Sequence, residues 1–120
     1  MIPAHLDLAT LTQSTTEVVH KAAAFIQQEA LHFTASRIEY KDVNNLVSYV
    51  DKEAERILVA GLQTLLPEAS FITEEGTTGQ APDPNALNWI IDPLDGTANY
   101  IHGLPVYCVS VALVQGKQPL

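Results

Sequence analysis

Positive charge is scarce in this sequence. Six lysines and arginines stand against 14 aspartates and glutamates, a formal charge of −8. No nucleic-acid partner is expected, because its phosphates need a basic face. An acidic chain can still bind phosphate, through metal ions held by its own carboxylates. Cysteine is nearly absent: Cys108 stands alone, which excludes an internal disulfide and fits a reducing cytoplasm. Cys108 falls within the apolar run 106–114 and is expected to be a small core residue. No apolar run approaches the ~20 residues of a membrane span. The N-terminus lacks a basic region followed by an apolar stretch, so no signal peptide is expected. Neither an internal repeat nor a low-complexity segment occurs. What remains is a chain of 120 residues, 47% hydrophobic and 17% charged, enough for one globular domain with a modest core.

Apolar residues recur at three- and four-residue spacing from about 5 to 34, with Leu8, Leu11, Val18, Val19, Ala22, Ile26 and Ala30 among them, and predict a long first helix. The polar stretch 34–45, with Arg37, Lys41 and Asp42, reads as a loop or loose hairpin. A second helix is expected over 46–66, capped by Asn44 or Asn45 and stopped by Pro67. Strands are expected at 70–73, 88–92 and 106–114, a flexible segment at 76–84, and one helical turn at 97–101. Gln115-Gly116-Lys117 is a turn signal. The order helix, helix, strand, strand, strand implies an α+β fold, two long helices packed on an antiparallel sheet. The chain is expected to form a single domain over 1–120 that stops in mid-hairpin, its return strand missing.

The segment WIIDPLDGTANY, 89–100, ends an apolar strand with two carboxylates three residues apart. Asp92-Pro93-Leu94-Asp95 fits a β-turn that brings both carboxylates to one point. Two anions that close repel unless a proton or cation lies between them. Mg²⁺ accepts one or two such carboxylates and keeps waters free for a substrate phosphate. Gly96 has no Cβ, so backbone or ligand can approach. Thr97 then opens a helical turn whose N–H groups suit an anion. A plain surface turn would use the same residues. Glu74-Glu75, however, ends another short apolar strand, SFIT, and neighbouring strands would bring Glu74 toward Asp92.

With ITEEG upstream, WIIDPLDGTANYIHG closely resembles the inositol monophosphatase family, Mg²⁺-dependent, lithium-sensitive phosphomonoesterases of layered αβαβα architecture. The resemblance implies Mg²⁺ as cofactor, a small phosphate monoester as substrate, and a homodimer. It implies metal ligation by Glu74, Asp92, Asp95 and the main-chain carbonyl of Leu94. Gly96 and Thr97 match phosphate-binding amides, and Asp95 also matches a contact to a substrate hydroxyl. The Thr97 hydroxyl matches a group that works with Glu74 on the attacking water. Asp51 matches an aspartate that accepts a hydrogen bond from the Thr97 hydroxyl. Lys41 matches a lysine on a mobile loop near the metals, and a solvated loop lysine is the plain alternative.

Family members are roughly twice this length, and their second half carries a G-W-D-x-A-A-G-like segment that this chain lacks. Hydrolysis of inositol monophosphate is the expected function. Bisphosphate nucleotidase, fructose bisphosphatase and histidinol-phosphate phosphatase activities are the rivals on the same scaffold. A catalytically inactive fragment is the rival of another class. Nucleotidases typically carry Lys-Glu after D-G-T, where this chain has Ala98-Asn99. His5, His20, His32 and His102 form no ligand cluster by spacing. Trp89 and Tyr100 are expected in the core.

Overall fold

The computed structural model describes residues 6–35, 40–73, 86–116 and 118–120, with the backbone alone for 32–35 and 40–46. Two helices lead: α1 (Leu8–Ala35) and α2 (Tyr40–Leu65). The strand β1 (Ser70–Thr73), the strand β2 (Leu87–Asp95), the short helix α3 (Thr97–Ile101) and the strands β3 (Cys108–Gln115) and β4 (Gln118–Pro119) follow.

Helix α1 starts on Asp7. Its Oδ1 accepts hydrogen bonds from the N–H groups of Ala9 and Thr10, at 3.1 and 3.3 Å, and its Oδ2 accepts one from the Thr10 hydroxyl at 2.8 Å. These satisfy donors that an uncapped helix end leaves open. The Thr10 hydroxyl, then its amide, hold the Asp7 carboxyl below its ordinary value.

Helix α2 begins at Tyr40 rather than near Leu46. The polar stretch expected as a loop is therefore helical from Tyr40 to Asn45, and Lys41 lies in the first turn of α2. Polarity alone misled here. One face of a helix faces water, and the first turn needs no apolar contact. Along α2, Val47, Val50, Ala54, Leu58 and Leu62 are buried, at the three- and four-residue spacing of a single helical stripe. Gly61 lets the two helices close: a Cβ there would stand 2.6 Å from Val18 Cγ1.

The strands form one sheet in the order β1-β2-β3-β4. β1 runs parallel to β2, with Thr73 opposite Ile91. The β2/β3 and β3/β4 pairs are antiparallel. The α+β class stands, and the sheet is mixed where an antiparallel one was expected. A parallel pair needs a long connection, and 74–86 supplies it. β4 supplies the start of the return strand expected to be missing: Gln118 pairs with Gln115, Pro119 with Val114, and the Leu120 N–H donates to Leu113 O at 2.9 Å.

Both helices pack on one face of the sheet. Phe71, Trp89, Ile91 and Leu113 meet Ala22, Leu58 and Leu62 in one buried cluster. Ile26, Val47, Val50, Ala54, Leu94 and Tyr100 form a second. The other face is open, with Ile72 and Ile90 exposed. Among the described residues, no helix is long and apolar enough to cross a membrane.

Candidate active site

The site is built on an irregularity in β2. Asp92 pairs with Ser110 and Asp95 with Cys108, and the register shifts between them. Two residues, Pro93 and Leu94, therefore stand against one, Val109. This is a β-bulge, where the sequence suggested a β-turn. Proline is tolerated at such a point because the ladder is already broken there.

The bulge decides where the carboxylates point. In an unbroken strand, residues three apart face opposite sides. Ser110 and Cys108 are two apart on regular β3, so they share a face, and each paired aspartate shares the face of its partner. Exposure agrees: Ile90, Asp92 and Asp95 are open or half-open, while Trp89, Ile91, Pro93 and Leu94 are buried. Asp92 and Asp95 thus stand together on the open face. Asp92 Oδ1 also accepts the N–H of Leu94 at 3.3 Å, and the Leu94 side chain is anchored in the second core cluster.

Cys108 is exposed on this face, contrary to its expected place in the core. Strand alternation explains it: Cys108, Ser110 and Ala112 are exposed, and the residues between them turn toward the helices. Beside Asp92 lies a depression of about 300 Å³ lined by Ile72, Thr73, Ile90, Ile91, Ser110 and Ala112.

Gly96 follows the bulge with φ 101° and ψ 38°, the left-handed region, and caps α3. A Cβ on it would stand 2.9 Å from Val106 O and 3.2 Å from Tyr107 Cα. Only glycine fits both the dihedral and the approach. Helix α3 opens at Thr97 as expected, with the Tyr100 N–H donating to Gly96 O at 3.0 Å.

Two side chains that sequence reasoning did not assign to the site hold α3 in place. Asn99 Nδ2 donates to Val106 O at 2.7 Å. Buried Tyr100 donates its hydroxyl to Ile26 O of α1 at 2.8 Å, and its ring meets Tyr107 edge-on at 5.0 Å between centroids. Burial pushes the Tyr100 phenol up, with Tyr107, Glu29 and Asp51 adding negative potential. Asp51 is half-buried on α2. His102 is exposed and caps the C-terminal end of α3.

The remaining candidates are only partly placed. Glu74 lies outside the described residues, as do Glu75, His5 and the side chains of Lys41 and His32. Thr73, which precedes Glu74 in the chain, pairs with Ile91, which precedes Asp92. Among the described residues, no three His, Cys, Asp or Glu side chains are grouped to hold a metal ion. Asp92 and Asp95 make a pair of hard oxygen donors on one face. That pair fits a magnesium ion, which takes one or two carboxylates from a protein.

A family model described as "Inositol monophosphatase family" matches residues 7–120. Inositol monophosphatase 2 of Solanum lycopersicum is 36% identical over 107 residues, which are 87% of this chain and 40% of that protein. A fructose-1,6-bisphosphatase/inositol-1-monophosphatase of Aquifex aeolicus is 42% identical over 84 residues, 69% of this chain and 31% of that one. The solved inositol monophosphatase of Anabaena (Nostoc) superposes with a TM-score of 0.74 at 30% identity, over 95% of this chain and 38% of the other. The chain spans about two fifths of the length of the tomato relative.

Proposed function

Because the chain belongs to the inositol monophosphatase family, we propose that it contributes the metal- and phosphate-binding half of a Mg²⁺-dependent phosphate monoesterase acting on inositol monophosphate. The observation that carries this is the bulge at Pro93-Leu94, which turns Asp92 and Asp95 onto one open face directly before Gly96 and α3.

Asp92, Asp95, the Leu94 carbonyl and Glu74 would hold the metal ions of a two-metal site. When bound, Mg²⁺ supplies a water of lowered pKa and neutralises developing charge on oxygen. The chain's own residues do the rest. The N–H groups at Gly96 and Thr97 donate to the substrate phosphate at the start of α3. The Thr97 hydroxyl and Glu74 orient the attacking water, and Glu74 takes its proton. Asp51 positions Thr97 by accepting its hydroxyl hydrogen. Asp95 also contacts a substrate hydroxyl. Lys41, at the start of α2, supplies a positive charge near the metals.

The Aquifex relative's name joins fructose 1,6-bisphosphate to inositol 1-phosphate, so both belong in the substrate test. Ala98-Asn99 after D-G-T argues against adenosine 3′,5′-bisphosphate. We place the protein in the cytoplasm as a lithium-sensitive homodimer. The 120-residue stretch by itself is expected to bind Mg²⁺ weakly and turn over negligibly, since its relatives bring more than half of their length from elsewhere.

The test is phosphate release from those three substrates in the presence of Mg²⁺, by the protein and by its Glu74→Gln variant. Inositol 1-phosphate should be preferred. Glu74→Gln should cut turnover by a large factor while leaving the fold intact. Undiminished turnover in that variant would remove Glu74 from the mechanism.

A further inference from the structure

The segment Leu104-Pro105-Val106, between α3 and β3, has little of its own to hold it. Leu104 and Val106 are exposed, so apolar burial does not anchor their side chains. Among the described residues, its hydrogen bonds to the rest of the chain both go to Asn99. The Leu104 N–H donates to the Asn99 main-chain oxygen at 2.8 Å, and Asn99 Nδ2 donates to Val106 O at 2.7 Å. A further bond, from the Val106 N–H to Leu104 O at 2.8 Å, closes a tight turn within the segment. One residue of α3 therefore holds the segment at both ends.

The segment held in this way forms a wall against Gly96. Val106 O stands 2.9 Å, and Tyr107 Cα 3.2 Å, from where a Cβ on Gly96 would lie. Glycine takes positive and negative φ about equally readily, so Gly96 has little intrinsic preference for its own φ of 101°. Any swing away from that value turns the Thr97 N–H relative to Asp95, because the two lie on either side of Gly96. Asp95 is itself fixed by pairing with Cys108. Contact with Val106 O and Tyr107 opposes the swing.

We infer that Asn99 is a positioning residue for the phosphate: its side chain holds Val106 O against Gly96 and so fixes the directions of the Gly96 and Thr97 N–H groups. This rests on the reading of those two groups as phosphate donors given above. Asn99 acts through Val106 and Gly96 and need not touch the phosphate. Without its side-chain amide the binding arrangement is populated for a smaller fraction of the time, and the apparent affinity falls by that fraction.

The test follows the Gly96 and Thr97 amide signals by NMR while inorganic phosphate is added at a fixed, high Mg²⁺ concentration. Both wild-type signals should move in a saturable manner. Asn99→Ala removes the donor without adding charge, and should weaken phosphate binding roughly threefold to tenfold. Asp7→Ala is the comparison for a loss of stability alone. It removes the cap of α1, a comparable destabilisation, roughly 28 Å along the helix from Ile26, where Tyr100 of α3 is bonded. Its phosphate affinity should equal that of the wild type. Phosphate affinity unchanged in Asn99→Ala, with wild-type signals that respond, would overturn the positioning role alone. An equal weakening in Asp7→Ala would also overturn it, because the effect would then follow stability and not position. Wild-type signals that do not respond would overturn the phosphate reading, and this inference with it.

Discussion

The Asn99 side chain donates to the carbonyl oxygen of Val106 at 2.7 Å, and that same oxygen lies 2.9 Å from where a Cβ on Gly96 would stand. The loop before β3 is thus drawn down onto the glycine that starts α3. Gly96→Ala meets both a left-handed dihedral and a backbone contact, and should cost about 1–3 kcal/mol. Asn99→Ala loses one hydrogen bond and should cost less, about 0.5–1.5 kcal/mol. Urea unfolding of the two variants beside the wild type checks the order. An Asn99→Ala loss larger than the Gly96→Ala loss would contradict it.

Tyr100 joins α3 to α1 through Ile26 O. Tyr100→Phe should cost about 1 kcal/mol at neutral pH. The phenol is raised above its ordinary 10.0, chiefly by burial. A group raised on folding contributes stability that is present below its unfolded value and lost as pH climbs past it. Wild-type stability should therefore fall as pH rises above about 10, and Tyr100→Phe should lack that part of the decline. Chemical denaturation at several alkaline pH values measures both curves. Parallel declines would show that Tyr100 is not the group responsible.

Helix propensity alone would make Gly61→Ala stabilising by about 1 kcal/mol. The 2.6 Å approach of its Cβ to Val18 opposes this with an overpacking cost of about 1–3 kcal/mol, so the variant should be destabilised. Adding Val18→Ala should restore part of the loss, and thermal unfolding of the four combinations gives the coupling. A stabilised Gly61→Ala single variant would mean that the helices part without cost.

Much of this was legible in the residues. The β1 bounds, the α3 turn, the stripe on α2 and the core positions of Trp89 and Tyr100 follow from periodicity and burial tendencies. Three features did not. The early start of α2 was hidden because its first turn is polar, and local polarity reads as loop. Cys108 reads as a core residue because its apolar run conceals an alternation of faces that only pairing with β2 reveals. The bulge reads as a turn. Pro93 suits both, and a register shift is a property of two strands together. The spacing of Asp92 and Asp95 held the clue, since residues three apart share a face of a strand only if an extra residue lies between them.

The central claim is that the bulge makes Asp92 and Asp95 joint ligands of one divalent cation. The most direct measurement is thermal unfolding of the wild type, Asp92→Asn and Asp95→Asn across a Mg²⁺ titration. A cation that binds only the folded state raises its stability by mass action. The wild-type midpoint should rise with Mg²⁺, and each variant should need an order of magnitude more Mg²⁺, or about that, to match it. Without Mg²⁺, both variants should be at least as stable as the wild type, because one of two neighbouring like charges is gone. A Mg²⁺ response in either variant equal to that of the wild type would contradict the claim.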